Sequence, residues 1–457
     1  MKTSRASGKH ENGNIPAPAS FGELEAFLGS LSSAGIRPGL DRIGALLHRL
    51  GNPENRFPSV HIVGTNGKGS TAAFTERILR ESGYRTALYT SPHLESPSER
   101  LLLDGVPLPL GKWYSASLTV AGAMKEDPLL RNDPPSFFET VTAVAFLLCA
   151  EEGVDIAVVE AGLGGRLDAT NLLGRVVLTL VASISMDHTE FLGNTLESIA
   201  GEKFAVMRKG TPAFFSGSPT SLVPLFLRRA SEIGAEAHVS ASECSVSGLQ
   251  LSEDGISYLF RSKDTAIPIQ TSLPGIYQAE NSSLAAAGAL RLSESFPGIT
   301  PETIRCGILR AKWPGRFEVL RKEPPMVLDG GHNPDGIRRL AETLSLMWKG
   351  KRTGIVYAAM KDKDYRQCLS LLKAPGRRLF CTCVPGMLRS ASPEEIAEAA
   401  LSVGWSREET RSFSDPLEAA AAAERETEAV IFCGSLYFIG FLRGPLTAVL
   451  SREKTSP

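Results

Sequence analysis

A glycine-rich segment with one lysine and several hydroxyl side chains follows an apolar run at residues 59–63. Its glycines let the backbone curl so that several N–H groups point at one anion, and the lysine can reach the outer phosphates of a nucleotide. Two residues separate its first glycine from the Gly-Lys pair, whereas the strict phosphate-loop pattern has four. The segment still predicts nucleotide binding rather than a plain surface loop. It consists of Gly64-Thr65-Asn66-Gly67-Lys68-Gly69-Ser70.

Polar side chains close several other apolar runs, at positions where a parallel sheet presents them to a ligand. Glu160 ends one run and leads into a glycine-rich turn, so its carboxylate is suited to hold Mg²⁺ against phosphates; the alternative is a capped turn. Ser91 offers a hydroxyl ligand, but a serine before proline is commonly a turn residue. In the pair Asp187-His188, ligand chemistry alone favours the aspartate, because Mg²⁺ prefers oxygen.

Two further polar segments belong to this set. Glu202-Lys203 lies in a predicted helix, where residue chemistry alone predicts an ordinary solvated charge pair. The segment Asp329-Gly330-Gly331-His332-Asn333-Pro334 ends a strand and starts a helix. That placement favours a binding site over a simple helix cap.

The elements that must position these residues are apolar strands alternating with helices. One helix is expected from about Ser70 to Ser82, directly after the glycine-rich segment. The alternation predicts an α/β fold: a P-loop-type, doubly wound and mostly parallel sheet with helices on both sides. The strands are expected at Val60–Gly64, Thr86–Thr90, Asp155–Glu160 and Val176–Ile184.

The pattern changes twice towards the C-terminus. Short alternating segments from Cys244 to Thr271, around Asp254-Gly255, predict a small antiparallel flap. After a break at Lys312-Trp313-Pro314-Gly315, strand–helix alternation resumes and predicts a smaller, Rossmann-like α/β domain. Its strands are expected at Met326–Asp329, Gly354–Ala358, Arg378–Val384 and Ala429–Cys433. The predicted organisation is a disordered tail at 1–19, a nucleotide-binding domain at 20–311 and a C-terminal domain at 312–457.

Composition narrows the class of protein. The 457 residues are 42% hydrophobic, enough to bury the cores of two domains. The formal net charge of −1 provides no basic face for nucleic acid or an anionic membrane, so small molecules are the expected partners. The seven scattered cysteines are typical of reduced thiols. The first nineteen residues match neither a secretory signal nor a membrane anchor, and a cytoplasmic protein is expected.

Taken in order, these segments resemble the folylpolyglutamate synthase and dihydrofolate synthase family within the Mur ligase superfamily. The resemblance covers about residues 20–445. It rests on nine segments, each weak alone, that occur in the family's order. They are Gly64 through Ser70, Tyr89-Thr90-Ser91-Pro92-His93-Leu94, Phe138-Glu139, Glu160 through Asn171, Asp187-His188, Gly201-Glu202-Lys203, Trp313-Pro314-Gly315-Arg316-Phe317-Glu318, Asp329 through Pro334, and Gly434-Ser435-Leu436-Tyr437.

The resemblance implies a role for each matching position. ATP would lie between a Mur-ligase-type domain and the C-terminal domain, with Mg²⁺ and room for a second divalent ion and a monovalent cation. The implied nucleotide contacts beyond the glycine-rich segment are Asn281, Arg316 and Asp329, and the implied magnesium ligands are Ser91, Glu160 and His188. The implied catalytic residues are Lys68, His188 and Lys203. Of these, Lys203 resembles the lysine that this superfamily carries as a carbamate.

The implied reaction is ATP-dependent addition of L-glutamate to dihydropteroate and to folate polyglutamates through an acyl phosphate, by a monomeric enzyme. A ligase restricted to folate polyglutamates is one alternative, and a nucleotide-gated regulatory P-loop protein is another. A cell-wall Mur ligase is disfavoured, because residues 1–58 are too short for its separate nucleotide-sugar domain. The implied substrate residues are Gly39, Leu40, Phe137, Phe138, Glu139, Leu167, Asp168, Ala169 and His332.

The sequence departs from the family pattern in three places. Tyr277 stands where the family usually has a histidine before Gln278, which affects the expected packing of adenine. The residues after Lys203 are bulkier than usual, and Arg389-Ser390 replaces a more usual Arg-Ala pair. None of these departures removes an implied ligand.

Overall fold

The structure is a computed structural model that describes residues 18–453. Most of the tail predicted at 1–19 therefore lies outside the described residues. The α-helices in this part of the chain are α1 (Phe21–Leu31), α2 (Asp41–Arg49), α3 (Lys68–Glu81), α4 (Leu110–Glu126), α5 (Pro128–Asn132), α6 (Phe137–Glu152), α7 (Thr189–Leu192), α8 (Leu196–Phe204), α9 (Val223–Ile233), α10 (Ser240–Glu243), α11 (Gln278–Leu292), α12 (Pro301–Arg310), α13 (Pro334–Met347), α14 (Tyr365–Leu372), α15 (Pro393–Ser402), α16 (Pro416–Glu426) and α17 (Leu436–Glu453).

The strands form three sheets. They are β1 (Ser59–Val63), β2 (Thr86–Tyr89), β3 (Leu101–Leu103), β4 (Val106–Pro107), β5 (Ile156–Glu160), β6 (Val176–Val181), β7 (Pro212–Phe215), β8 (Glu236–Val239), β9 (Cys244–Ser252), β10 (Gly255–Ser262), β11 (Thr265–Thr271), β12 (Glu318–Arg321), β13 (Met326–Leu328), β14 (Thr353–Tyr357), β15 (Gly376–Cys381), β16 (Thr410–Ser412) and β17 (Ala429–Cys433).

The largest sheet has eight strands in the order β4-β3-β2-β5-β1-β6-β7-β8. The strands β2, β5, β1, β6, β7 and β8 run parallel to one another. At the edge of the sheet, β3 is antiparallel to β2 and β4 is antiparallel to β3. Successive side chains of a strand enter different cores: Ile156 and Val158 pack with α3, α11 and α12, while Ala157 and Val159 pack with α4 and α6. The sheet is therefore covered on both faces, and the predicted doubly wound α/β fold is confirmed.

The flap is a three-stranded antiparallel sheet in the order β11-β10-β9. Its turn lies at Glu253-Asp254, between β9 and β10, as the hairpin pattern predicts. The buried face of β10 carries Tyr258, whose hydroxyl lies 2.6 Å from Ser282 Oγ on α11. The flap thus supports the helix that begins beside the glycine-rich segment.

The C-terminal sheet has the order β12-β13-β17-β14-β15-β16, and β12 is antiparallel to its neighbour while the others are parallel. Its helices α13 to α17 pack on two buried clusters, one on each face. This mixed α/β sheet agrees with the predicted Rossmann-like domain.

Several predicted boundaries differ from those in the structure, by up to three residues. Helix α3 begins at Lys68 rather than Ser70, so the lysine is already helical. Strand β6 ends at Val181 rather than Ile184, because the following residues bond to the glycine-rich segment: Thr65 N–H donates to Ser183 O at 2.8 Å. Strand β15 ends at Cys381 rather than Val384, where the chain turns and Ser390 Oγ accepts from Val384 N–H at 2.8 Å. Among residues 18–453 no helix combines the length and apolarity needed to cross a bilayer.

Candidate active site

A cavity lies at the carboxyl end of β1, between the eight-stranded sheet and the C-terminal domain. Its walls come from the glycine-rich segment, from the ends of β2 and β5, from α8 and from the C-terminal domain, which is where parallel sheets bind ligands. The residues lining this nucleotide cavity include Gly64 through Ser70, Ser91, Glu160, Asp187, His188, Lys203, Tyr277, Arg316, Asp329 and His332.

The glycine-rich segment is shaped by the side chains packed around it. Gly67 has φ of 86°, in the left-handed region, and a Cβ there would collide with the side chain of Asn281. At Gly69 a Cβ would lie 2.7 Å from the ring of Trp313. Both positions therefore require glycine. The N–H groups at the start of α3, which begins at Lys68, have no acceptor within the helix and can approach an anion.

Replacing Gly67 by alanine is expected to raise KM for ATP at least about 10-fold, which corresponds to about 1.4 kcal/mol of lost binding. Gly83→Ala is a matched control, because Gly83 follows the same helix with φ of 87° and has open space where the Cβ would lie. Both variants carry about 1–2 kcal/mol of backbone strain, so thermal unfolding should respond in both. Equal KM values for ATP in the two variants would show that a Cβ at residue 67 does not disturb ATP binding, and would contradict the prediction.

Lys68 is the first residue of α3 and stays close to the loop that precedes it. Its Nζ donates to Thr65 O at 3.1 Å and lies 4.0 Å from Glu160 Oε1. The helix N-terminus and the ammonium group thus point their positive charge at the same cavity. The arrangement suits a ligand with clustered negative charges, such as the outer phosphates of a nucleotide.

Glu160, Ser91 and His188 line the same cavity. Burial raises the pKa of Glu160, while the charges of Lys68 and Arg316 and an N–H from Ser91 favour its ionised form. Burial lowers the pKa of His188 to about 4, so the imidazole is neutral and able to bind a metal.

These donors fit Mg²⁺. Between residues 18 and 453 no group of three His, Cys, Asp or Glu side chains converges as a metal site. One carboxylate, one hydroxyl and one imidazole leave coordination positions for water and nucleotide phosphates, as is usual for this ion.

Lys203 is buried rather than solvated, so the predicted exposed pair Glu202-Lys203 is wrong. The side chain of Glu202, the preceding residue, accepts a hydrogen bond from Arg166 instead, with 3.0 Å between Arg166 Nε and Glu202 Oε1. Lys203 is 4% exposed and donates from Nζ to Gly64 O at 2.8 Å. Burial, with the nearby charge of Lys68, lowers the pKa of Lys203 to about 7. A large part of this amine is therefore unprotonated near neutral pH.

Asp187 connects the two domains through three side chains of the C-terminal domain. Lys363 Nζ donates to its Oδ1 at 2.7 Å, Asn333 Nδ2 donates to its Oδ2 at 3.0 Å, and His332 Nε2 lies 3.7 Å from Oδ2. Burial opposes its charge, but His332 and Lys363 outweigh burial and hold the pKa of Asp187 well below its usual range. Residue chemistry alone favoured Asp187 as a metal ligand. Its carboxylate instead bonds to side chains of the C-terminal domain and so links the two domains.

The other implied nucleotide contacts approach the cavity from the side of the C-terminal domain and α11. Asp329 is buried and accepts N–H groups from Phe317 and Gly331, each at 2.8 Å. Burial, followed by the charge of Asp329, raises the pKa of Tyr277 well above its usual value, so the phenol stays neutral. Asn281 lies behind Gly67 and donates to Gln278 Oε1 at 2.9 Å.

A second cavity adjoins the first and extends towards the N-terminal helices. It shares the wall residues Ser91, Pro92, Gly162, Leu163, His188, Leu192, His332 and Leu436 with the nucleotide cavity. Seven of the implied substrate residues line it: Gly39, Phe138, Glu139, Leu167, Asp168, Ala169 and His332. Leu40 and Phe137 instead pack against the core behind it, and the Arg100 guanidinium lies 5.6 Å from the Phe137 ring centroid. Neither residue is among those that line this cavity, and their contact with substrate stays a prediction.

Asp168 is held in the wall of the second cavity by a buried chain of polar groups. Thr170 Oγ1 donates to Asp168 Oδ1 at 2.5 Å, and His61 Nε2 lies 2.9 Å from the same hydroxyl. Because the hydroxyl donates to the carboxylate, His61 must donate from Nε2, and burial lowers the pKa of His61 to about 3. Asp168 Oδ2 accepts Leu163 N–H at 2.7 Å. The carboxylate is fixed in one orientation towards the cavity.

Several residues of these cavities carried no distinct role in the sequence analysis. Lys363 and Arg389 line the second cavity from the C-terminal domain, and the Arg389 guanidinium lies 4.0 Å from Asp362 Oδ1. Trp313 belongs to one of the segments that carry the family resemblance, but its packing on Gly69 had only a weak signal in the sequence. An aromatic residue beside a Pro-Gly break was the one hint available.

The fold and the site together define a class of enzyme. The Mur ligase middle domain family matches residues 62–290, and the family described as Mur ligase, glutamate ligase domain matches residues 315–436. Mur ligases are ATP-dependent enzymes that form amide bonds, and a phosphate-binding loop closed by a second α/β domain suits that chemistry.

Curated relatives and solved structures identify the branch of this class. The chain is 32% identical to the dihydrofolate synthase/folylpolyglutamate synthase of Bacillus subtilis, over 90% of this chain and 95% of the relative. It is 30% identical to the enzyme of the same name from Escherichia coli, over 94% and 96%. A structure of Mycobacterium tuberculosis folylpolyglutamate synthase with ADP and AMPPCP superposes with a TM-score of 0.86 at 29% identity, covering 94% of this chain and 98% of that one. The chain belongs to the dihydrofolate synthase/folylpolyglutamate synthase family of Mur ligases.

Proposed function

We propose that this enzyme uses ATP to join L-glutamate to dihydropteroate and to folate polyglutamates. The observation that carries the proposal is the shared wall of the two cavities, which brings an acceptor bound beside Asp168 next to phosphates bound at Lys68. Relatives bearing both activity names support it, as does an Escherichia coli structure described as FolC in complex with DHPP and ADP, with a TM-score of 0.83 and 29% identity. That match covers 95% of this chain and 99% of the other.

The chemistry proceeds in two steps. A carboxylate oxygen of the acceptor attacks the γ-phosphorus of ATP, the bond to the β–γ bridging oxygen breaks, and ADP leaves. The neutral amine of glutamate then attacks the acyl carbon, releasing phosphate and losing a proton. Because two anions must meet in the first step, Lys68 and the N–H groups of the glycine-rich segment supply the needed positive charge.

Ser91, Glu160 and His188 are proposed to hold Mg²⁺. When bound, the ion would neutralise phosphate charge and orient the transferring group. Its proposed ligands approach from two strand ends and a turn. Burial raises the pKa of Glu160, and the charges of Lys68 and Arg316 oppose that rise. Any second divalent ion would need a further anionic ligand close to Gly64.

Lys203 is proposed to provide that anion as a carbamate. Carbamate formation requires a neutral amine, which attacks CO₂ and loses one proton. The burial of Lys203 and its pKa of about 7 support this reaction. The product is a negatively charged group at the position where the unmodified side chain donates to Gly64 O.

The glutamate substrate is proposed to enter from the side of the C-terminal domain. A dicarboxylate amino acid needs cationic partners, and Arg389 lines the second cavity with 68% of its side chain exposed. Ser435 and Tyr437 line the same end and offer hydroxyl donors. This placement presents the amine of glutamate towards the wall that both cavities share.

The experiment measures ATP-dependent incorporation of labelled L-glutamate with dihydropteroate or tetrahydrofolate as acceptor. Incorporation with both is expected. Incorporation with tetrahydrofolate alone would support the restricted ligase. ATP turnover that needs no pterin acceptor would instead support a nucleotide-gated regulatory protein.

We also propose that the protein acts as a monomer in the cytoplasm, on small molecules rather than nucleic acid or membranes. The net charge of −1 supports small molecules as partners, and the seven free thiols support a reducing compartment. Sedimentation of the purified protein at micromolar concentration, with and without ATP, tests the oligomeric state.

A further inference from the structure

One side chain of the glycine-rich segment, Asn66, reaches the C-terminal domain. Its Nδ2 lies 3.1 Å from Asn333 Oδ1 and 3.0 Å from Asp335 Oδ2, and Asn333 Nδ2 donates back to Asn66 Oδ1 at 3.0 Å. The two carboxamides therefore form a reciprocal pair across the domain interface. We refer to Asn66 and Asn333 as the amide latch.

The side of the latch on the C-terminal domain is rigid. Asn333 is 3% exposed and caps α13, with its Oδ1 accepting Gly336 N–H at 2.8 Å. Its Nδ2 also donates to Asp187, which Lys363 holds from the same domain. Because each hydrogen-bonding atom of Asn333 is engaged, the residue occupies one orientation.

The glycine-rich side of the latch is anchored where phosphate would bind. The main chain of Asn66 bonds to Ser183, since Asn66 N–H donates to Ser183 O at 3.3 Å and Ser183 Oγ donates to Asn66 O at 3.3 Å. Asn66 directly precedes Gly67, so moving its side chain moves the peptide groups that face an anion. The position of the C-terminal domain and the shape of the glycine-rich segment are thus mechanically joined.

We propose that Asn66 and Asn333 are positioning residues that couple closure of the C-terminal domain to the shape of the phosphate-binding segment. The inference rests on the ATP-dependent ligation proposed above. By linkage, a nucleotide that fixes the segment favours closure, and closure favours the segment that binds nucleotide. Closure also protects the acyl phosphate from water, so the latch has a direct role in keeping ATP use tied to amide formation.

The variant Asn333→Ser tests the latch while keeping the helix cap. Serine can still accept an N–H at the start of α13, but it is too short to reach Asn66. The separate ion pair between Arg339 and Glu280, at 3.0 Å, remains and still docks the domains. We expect the specificity constant for ATP to fall at least about 10-fold, because the variant loses both hydrogen bonds to Asn66 and the one to Asp187.

The decisive measurement is the ratio of ADP released to glutamate incorporated. A ratio near one is expected for the unaltered enzyme, and a ratio above about two for Asn333→Ser, because water reaches the acyl phosphate before the amine. Asp415→Ser is the matched control, since Asp415 caps α16, accepts Leu417 N–H at 2.8 Å and also precedes a proline. This control should keep a ratio near one.

A double-variant cycle distinguishes a coupled pair from two separate defects. Asn66→Ala removes the other half of the latch without touching a helix cap. Each single variant also loses a bond outside the pair, from Asn66 to Asp335 or from Asn333 to Asp187. If the pair is coupled, the loss in the double variant should still be clearly smaller than the product of the two single losses. A ratio that stays near one in both single variants, or losses that multiply in the double variant, would overturn the latch. Glutamate incorporation by the unaltered enzyme tests the proposed function separately.

Discussion

Replacing Lys68 by alanine is expected to lower kcat by about 100-fold or more, as for loss of one charge-stabilising donor in a preorganised site. The reason is the proposed role of Lys68, which is to offset the repulsion between an acceptor carboxylate and the γ-phosphate. Stability should change by no more than about 1 kcal/mol, because the side chain makes one long contact with Glu160 and one hydrogen bond with Thr65. The expected fall in kcat therefore reflects a slower chemical step rather than unfolding of the protein.

The measurement is ADP release by the purified variant at saturating ATP, with thermal unfolding recorded on the same sample. Lys125→Ala is a suitable control, because Lys125 is an exposed lysine near the end of α4. Turnover above about a tenth of the unaltered enzyme, a loss of less than about 1.4 kcal/mol, would contradict the role of Lys68.

Replacing Lys203 by alanine is expected to reduce activity by about 100-fold, because the site would lose the proposed carbamate and the negative charge that it would place among the cations of the site. Short carboxylic acids such as acetate or propionate should restore part of the activity by placing a carboxylate in the space left by the side chain. Chloride at the same ionic strength controls for salt screening. The assay is glutamate incorporation across a series of acid concentrations.

The variant Lys203→Arg sharpens this test. A guanidinium keeps the positive charge and the reach to Gly64 O, but it stays protonated and does not form a carbamate. Loss of activity in this variant, together with rescue of Lys203→Ala by acids, would support the carbamate. An active Lys203→Arg enzyme would contradict it and point to the ammonium group itself.

The residues that close strands could be predicted to meet, because parallel topology brings their carboxyl ends to one edge. Glu160 and Ser91 follow this rule, since β5 and β2 are neighbours in register, with Leu88 paired to Val158. Lys203 could not be placed in this way. Its residue type predicts exposure, and only the fold shows that α8 carries it beneath Gly64.

The contacts between domains were the least predictable part of the site. Asn66 and Asn333 are 267 residues apart, and Asp187 and Lys363 are 176 apart. No local pattern encodes such pairs, because they depend on how one domain docks on the other. Residue chemistry alone favoured Asp187 as a metal ligand. In the structure, side chains of the docked C-terminal domain form hydrogen bonds with its carboxylate instead.

The packing around the glycine-rich segment also bears on the order in which the protein matures during synthesis. Gln278 on α11 donates to Ser70 from 208 residues further along the chain, and Asn281 and Trp313 cover Gly67 and Gly69. A nascent chain that has not reached these residues lacks the walls that shape the segment. The nucleotide pocket thus depends on contacts of very high sequence separation, which form slowly and late. A partly made chain would hold a folded sheet without a functional phosphate site.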